Sequence, residues 1–189
     1  MTVIAAIASK DGHIWMAGDS AAIAGYHLDT RADEKVFLKD DILFGFSTSF
    51  RFGQLLRWRM KIPECPKDVS NIEFIQCYMI DSIRKTLKDG GYLKVSEGYK
   101  EEAGSLLLGY RGELFEIMSD FQVAQSRHRF YAIGCGYEVA LGAMAVLNRY
   151  EIPDQEIITK TVFATEAFCS GVRRPFVLLD NQGNKEILS

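Results

Sequence analysis

The amino-acid sequence predicts an α+β fold in which two β-sheets stack face to face and a pair of helices covers each outer surface. The predicted elements come in clusters, in the order strands, two helices, strands, two helices, strands. This order is typical of layered α+β folds and not of alternating βαβ units. Several short strands are apolar at every position, as expected for sheets that are covered on both faces. With 189 residues, we expect residues 1–189 to form a single domain.

The first fifty residues are predicted to be mainly strands. Residues 2–8 form a short apolar run, and Asp11-Gly12 separates it from a second run at residues 13–17. An Asp-Gly pair between two apolar runs indicates a β-hairpin. The returning strand leads into Gly18-Asp19-Ser20. Two further strands are expected at residues 36–38 and 42–46.

The middle of the chain is predicted to be helical. A first helix is expected at residues 54–60, and prolines follow it. Ser70 and Glu73 have the spacing of a capping box, and apolar residues then recur at helical spacing, so a helix is expected over residues 70–89. Residues 92–104 are polar and are predicted to form a loop.

The second half repeats the pattern of strands followed by helices. Asp154, which follows a proline, is expected to cap the last helix at its N-terminus. The expected elements are a hairpin at 105–110 and 113–117, a strand at 129–133, helices at 139–150 and 154–168, and strands at 175–179 and 185–188.

The composition excludes several classes of function. Apolar residues make up 48% and charged residues 25%, as in ordinary globular domains. The formal net charge is −3 and no basic block is present, so we expect no nucleic-acid partner and no membrane association. The four cysteines and three histidines show no zinc-ligand spacing, so no metal and no cofactor are expected. Few cysteines and no signal peptide indicate a reducing cytoplasm.

Several motifs give only weak functional signals. Gly134-Cys135-Gly136 lies at a predicted strand-to-helix turn. A dinucleotide-binding fingerprint would need a third glycine at position 139, which is valine here, so a tight turn is the better interpretation. Ser20 and Ser47 each follow a glycine by two residues without the second glycine of a nucleophile elbow. Cys77 and Cys169 are expected to be small core residues.

Thr2 is the most informative candidate. Removal of Met1 would give one residue both a hydroxyl group and a free α-amine, whose ordinary pKa of about 8 lets it accept a proton near neutral pH. Such a residue can serve as nucleophile and base together. Lys35 would lower the proton affinity of the hydroxyl, and Asp19 would hold the lysine in place. We therefore take Thr2, Asp19 and Lys35 as a candidate catalytic group.

At these residues the sequence resembles a family, the N-terminal threonine hydrolases of proteasome β-subunit type. The resemblance is greatest to the HslV-type proteolytic subunit of bacteria. Four segments in the same order carry it, and the match spans most of the chain. They are Thr2-Val3-Ile4-Ala5-Ala6, Asp11-Gly12 with Met16-Ala17-Gly18-Asp19, Arg31-Ala32-Asp33-Glu34-Lys35-Val36, and Tyr131-Ala132-Ile133-Gly134-Cys135-Gly136.

The resemblance implies a four-layer αββα sandwich, the Ntn hydrolase fold, with Thr2 in a cleft between the sheets. It implies a threonine-type endopeptidase that hydrolyses peptide bonds of a polypeptide substrate. It also implies self-association into a ring-like homo-oligomer, and it leaves open an ATPase unfoldase as a second partner. Cys135 occupies the position of a serine that hydrogen-bonds the active-site amine. The residues expected to bind the substrate or its oxyanion are Ser20, Ala21, Gly45, Ser47, Thr48 and Ser49.

Three departures from the family pattern concern the support of the nucleophile. Ser47, Thr48 and Ser49 follow the apolar strand where the family usually has glycines, so side chains are expected to narrow the cleft. A thiol at position 135 is a weaker hydrogen-bonding partner than a hydroxyl. The family's late aspartate is Ala167 here, with Glu166 one position away.

Two other functions stay open at this point. The same sandwich fits a non-catalytic assembly module whose cleft is degraded, and only a test of chemistry separates it from a protease. It also fits a small-molecule Ntn amidohydrolase, which size in solution would distinguish because a monomer or dimer encloses no chamber. Because only one residue precedes Thr2 in this sequence, we expect maturation to consist of Met1 removal.

Overall fold

The computed structural model describes residues 1–96 and 100–189, and its framework is two five-stranded antiparallel sheets. The strands of the first sheet are β1 (Ile4–Ala8), β2 (Ile14–Gly18), β12 (Phe130–Ile133), β13 (Phe176–Asp180) and β14 (Lys185–Leu188). Those of the second are β5 (Val36–Lys39), β6 (Ile42–Phe46), β9 (Leu106–Tyr110), β10 (Glu113–Ile117) and β11 (Val123–Gln125). The first sheet has the strand order β12-β1-β2-β13-β14 and the second β11-β10-β9-β6-β5.

Two further hairpins lie outside these sheets. They are formed by β3 (Ala21–Ala24) with β4 (His27–Thr30), and by β7 (Lys94–Ser96) with β8 (Lys100–Glu102).

The helices lie on the two outer faces. They are α1 (Phe50–Arg59), α2 (Asn71–Glu73), a π-helical segment (Phe74–Met79), α3 (Ile80–Asp89), α4 (Tyr137–Leu147) and α5 (Asp154–Phe168). From α2 to α3 the helical conformation is uninterrupted. The backbone N–H of Glu73 donates to Ser70 Oγ, which is one of the two hydrogen bonds of the predicted capping box.

Strand β1 shows why its sequence is apolar at every position. Successive side chains of a strand point to opposite faces. Ile4 and Ala6 therefore pack between the two sheets, against residues such as Leu43 and Leu107, whereas Ala5 packs under α4 and α5. A third apolar layer joins the second sheet to α1, the π-helical segment and α3. The layers run helix, sheet, sheet, helix, which confirms the predicted αββα sandwich.

The first hairpin also forms as predicted. Strands β1 and β2 pair with Ile4 opposite Gly18, and Gly12 in the connecting turn has φ +86, a backbone angle that glycine adopts without strain.

Three expectations about local structure are corrected. Strands β7 and β8 lie within residues 92–104, which were predicted as a loop, although positions 97–99 lie outside the described residues. Asp154 is the first residue of α5 and not its N-cap; Pro153 occupies that position, and the Asp154 carboxylate binds Ser9 and Arg129. Cys77 is exposed and Cys169 only partly buried, so neither is a core residue.

No helix within residues 1–96 and 100–189 combines the length and apolar character needed to span a bilayer.

Candidate active site

Thr2 lies just before the first residue of β1, in a cleft of about 110 Å³ where the two sheets meet. The cleft is lined by Met1, Thr2, Ala21, Ala22, Ile23, Lys35, Phe46, Ser47, Thr48, Ser49 and Phe50. Met1 is more than half exposed, whereas Thr2 is 3% exposed, so the threonine is held inside the fold while the residue before it projects outward.

Hairpin pairing brings Asp19 next to the amino terminus. Because Ile4 is opposite Gly18, the residue after β2 lies beside the residue before β1. The backbone N–H of Val3 donates to Asp19 Oδ1 at 3.0 Å, and that of Ala21 donates to Oδ2 at 3.0 Å. Two backbone donors therefore fix the carboxylate.

Lys35 reaches the same carboxylate from the start of β5 in the other sheet. Its Nζ donates to Asp19 Oδ1 at 2.9 Å and to the Ala21 carbonyl at 2.7 Å. Lys35 is 3% and Asp19 1% exposed, so this is a buried ion pair. Burial lowers the pKa of Lys35 below its ordinary value, although the charge of Asp19 opposes this effect. Burial likewise raises the pKa of Asp19, although Lys35 counteracts it.

The carbonyl oxygen of Met1 connects the hydroxyl group with the ammonium group. Thr2 Oγ donates to this oxygen at 2.5 Å, and Lys35 Nζ donates to it at 3.4 Å. A hydroxyl group and a buried cation thus converge on one carbonyl oxygen. Thr2 and Lys35, two of the predicted catalytic side chains, meet at this oxygen, and Asp19 binds the lysine.

The turn after β12 holds Thr2 from the opposite side. The Thr2 nitrogen, which is a peptide nitrogen while Met1 is attached, donates to Cys135 Sγ at 3.2 Å. Gly136 N–H donates to the Thr2 carbonyl at 3.2 Å. Gly134 has φ +92, and a Cβ there would lie 2.3 Å from that carbonyl oxygen, so the position admits only glycine. The predicted contact between Cys135 and the nitrogen of Thr2 is therefore present.

The segment between β6 and α1 forms the other wall of the cleft. Ser47 N–H donates to the Ser105 carbonyl and Ser49 N–H to the Ser47 carbonyl, so both amides are engaged. Ser49 Oγ also caps α1 by accepting from Arg51 N–H. Thr48 is exposed with φ +87, which is rare for a β-branched residue. Within the described residues, its amide is the one in this turn without a hydrogen-bond acceptor.

Two predicted binding residues do not line the cleft. Ser20 is buried and its hydroxyl donates to the Pro175 carbonyl. Gly45 lies between the sheets, where an added Cβ would be 2.4 Å from Ile4 Cγ2, so its role is close packing. Glu166 points away and pairs with Arg174 at 2.6 Å.

Several residues in or near the cleft were not predicted from the sequence. Phe50 is the first residue of α1, and its ring lies 5.6 Å from Lys35 Nζ. Ala22 and Ile23 belong to β3, a strand that was not predicted. Cys169 was also missed: its Sγ is 3.6 Å from Cys135 Sγ, although 34 residues separate the two in sequence. Among the described residues, no group of three histidine, cysteine or acidic side chains is placed to hold a metal ion.

The architecture is that of proteasome-like N-terminal-nucleophile proteins, as comparison with solved structures shows. A chain of Thiobacillus denitrificans BPH matches with a TM-score of 0.78 and 23% identity, covering 100% of this chain and 99% of that one. The same protein in complex with epoxomicin matches with a TM-score of 0.77 and 23% identity, covering both chains fully. Eukaryotic HslV from Trypanosoma brucei matches with a TM-score of 0.68 and 16% identity, covering 95% and 98% of the two chains.

At the level of fold, these matches confirm the resemblance stated from the sequence. No protein-family model and no curated protein matches the chain.

Proposed function

We propose that this protein is a threonine-type hydrolase that cleaves peptide bonds, with Thr2 as its N-terminal nucleophile after Met1 has been removed. The observation that carries the proposal is the position of Thr2. It is buried in the cleft, with the Lys35–Asp19 pair on one side and Cys135 Sγ on the other. Removal of Met1 also opens the cleft, because Met1 is one of the residues that line it.

The proposed reaction begins with proton transfer within Thr2. Its free α-amine takes the hydroxyl proton while Oγ attacks the substrate carbonyl. The resulting oxyanion accepts a hydrogen bond from Thr48 N–H, the amide that the turn leaves available. Collapse of this intermediate releases the amine product, which receives the proton, and leaves an ester on Thr2 Oγ. Water, deprotonated by the same α-amine, then hydrolyses the ester and frees the enzyme.

Lys35, Asp19 and Cys135 support this chemistry in different ways. The Lys35 ammonium lowers the proton affinity of the nearby hydroxyl, and Asp19 favours the charged form of the lysine against the effect of burial. Cys135 Sγ orients the nitrogen that becomes the base.

A relative with the same fold strengthens the proposal. Thiobacillus denitrificans BPH, which matches this chain over its full length, has been solved in complex with epoxomicin. We propose that the present chain likewise reacts with such compounds, self-associates into a ring and acts on polypeptide substrates. Native mass spectrometry tests the ring directly: a monomer or dimer would favour the small-molecule amidohydrolase instead.

The activity is tested with fluorogenic peptides on protein whose first residue is Thr2. Thr2→Ala is expected to reduce hydrolysis to the level of buffer alone, because it removes the nucleophile. Thr159→Ala is a matched control: the Thr159 hydroxyl donates to the Gln155 carbonyl within α5, outside the cleft, so full activity is expected. Full hydrolysis by Thr2→Ala would overturn the proposal.

A non-catalytic assembly module is the second candidate, and the narrowness of the cleft favours it. The cleft is only about 110 Å³ with Met1 in place, and side chains occupy all three positions from Ser47 to Ser49. If protein that begins at Thr2 assembles into a ring yet hydrolyses no peptide in a broad substrate set, this function is the better one.

A further inference from the structure

Two free cysteines lie side by side at the edge of the proposed active site. Cys135 occupies the turn between β12 and α4, and Cys169 immediately follows the last residue of α5. Their sulfur atoms are 3.6 Å apart, both side chains are reduced, and Cys135 is exposed. Neither the fold comparisons nor the proposed reaction accounts for Cys169.

The positions of the two residues suit bond formation between their sulfurs. A disulfide has an S–S length of about 2.05 Å, so the sulfurs need to approach by about 1.5 Å. Both residues lie outside regular helix and strand, where side chains adjust with little disturbance of packing. Gly171 leaves the necessary space, because a Cβ there would lie 2.7 Å from Cys135 Sγ.

We propose that Cys135 and Cys169 form a reversible disulfide that suppresses the reactivity of Thr2. The effect on Thr2 rests on the proposed function; formation of the disulfide does not. In the reduced protein, Cys135 Sγ accepts from the Thr2 nitrogen at 3.2 Å and its thiol donates to the Thr2 carbonyl at 3.5 Å. A disulfide has no S–H to donate, and its formation draws the sulfur toward Cys169. The nitrogen that serves as the base then loses the partner that orients it.

The oxidant is a peroxide, and the chemistry proceeds in two steps. The Cys135 thiolate attacks one oxygen of hydrogen peroxide, the O–O bond breaks, and sulfenic acid and hydroxide are formed. The Cys169 thiolate then attacks the Cys135 sulfur, the S–O bond breaks, and the disulfide and a second hydroxide are formed. The two thiol protons convert both hydroxides to water. Cys135 reacts first because it is the exposed sulfur, whereas burial raises the pKa of the Cys169 thiol, so that its thiolate forms less readily and attacks second.

The disulfide is tested first by mass spectrometry. The other two cysteines are removed in a Cys65→Ser/Cys77→Ser background, and the protein is treated with hydrogen peroxide. We expect the loss of two hydrogen atoms and a crosslink between two tryptic peptides, residues 130–149 and residues 161–173. Dithiothreitol should reverse both changes. Peroxide treatment that yields only sulfinic or sulfonic acid at Cys135, without the crosslink, would overturn the inference.

The effect on Thr2 is measured as the rate of labelling by epoxomicin. In the same background we expect oxidation to slow labelling about threefold to tenfold and dithiothreitol to restore it. With Cys169→Ser added, the labelling rate in reducing buffer should be unchanged and dithiothreitol-reversible slowing should be lost. An equal rate in the crosslinked and reduced proteins would refute the regulatory role. If neither form is labelled, the proposed function fails, while the peptide map still decides whether the disulfide forms.

Discussion

Replacing Lys35 by methionine tests whether the buried ion pair beneath Thr2 has the structure described. Lys35→Met keeps most of the aliphatic chain but removes Nζ, which donates to Asp19 Oδ1 at 2.9 Å and to the Ala21 carbonyl at 2.7 Å. Asp19, which is 1% exposed, then lacks a counter-charge. Breaking a buried pair from one side costs about 3–5 kcal/mol. Because the N–H groups of Val3 and Ala21 still bind Asp19, we expect the lower part of this range.

The loss should depend on pH in a defined direction. Burial already raises the pKa of Asp19 above its ordinary value of 3.8, and removal of Lys35 raises it further. A group with a raised pKa in the folded state stabilises the fold at low pH, and this contribution is lost as the pH rises through the folded pKa. Below that pKa, each pH unit recovers up to about 1.4 kcal/mol. Urea unfolding should therefore show a smaller difference between Lys35→Met and the parent at pH 4, close to the ordinary pKa of 3.8, than at pH 7.

Lys39→Met is the matched control for this measurement. Lys39 Nζ donates to the carbonyls of Leu56 and Arg57 near the end of α1, so its loss removes a favourable cation at a helix C-terminus. That interaction is worth about 0.3–1 kcal/mol, and its loss should be the same at pH 4 and at pH 7. A Lys35→Met loss below about 1 kcal/mol, or one of equal size at both pH values, would contradict the buried ion pair.

Three further substitutions test the turn, the interior and the last hairpin. Thr48→Gly should raise the free energy of unfolding by about 0.5–1 kcal/mol, because glycine adopts φ +87 without the strain of a β-branched side chain. An unchanged or lower melting temperature would contradict this. Gly45→Ala should lower the free energy of unfolding by about 1–3 kcal/mol, because the new Cβ would lie 2.4 Å from Ile4 Cγ2. An unchanged free energy in urea unfolding would show that the two sheets separate easily at this point. Asp180→Asn should cost about 1–3 kcal/mol at pH 7. Burial alone would raise the pKa of Asp180, but hydrogen bonds from Asn184, His13 and Gln182 together lower it, so its stabilisation is present above pH 3.8 and lost as the pH falls through the folded pKa. A variant-to-parent difference that persists undiminished at pH 2 would contradict that reasoning.

Local chemistry explains which elements the sequence predicts well. The hairpin of β1 and β2 can be predicted from Asp11-Gly12, because a turn with positive φ needs specific residues. The apolar strands can be predicted because burial on both faces requires apolar side chains at every position. The hairpins β3–β4 and β7–β8 were missed. Every residue of β4 is exposed, so this strand has no apolar pattern by which it could be predicted from the sequence.

In the candidate site, too, some residues can be predicted from the sequence and others depend on how distant segments pack. Asp19 and Lys35 were predicted from their complementary chemical roles beside Thr2 and from a resemblance in order and spacing. Asp19 lies beside β1 because of the hairpin register. The contact of Cys135 with Cys169 depends on how α5 packs across the first sheet, which no local pattern encodes. Likewise, the fact that Thr48 N–H is available while Ser47 N–H is engaged depends on pairing with Ser105, a residue 58 positions further along the chain.

Covalent labelling shows whether Thr2 is a working N-terminal nucleophile. Protein that begins at Thr2 is treated with epoxomicin, an epoxyketone able to close a ring with both the hydroxyl and the α-amine of an amino-terminal threonine. Intact mass spectrometry is then applied to the parent and to Thr2→Ala. We expect one adduct per chain in the parent, located in the tryptic peptide of residues 2–10, and none in the variant. A parent that begins at Thr2 and stays unmodified, or a variant labelled equally well, would contradict this expectation.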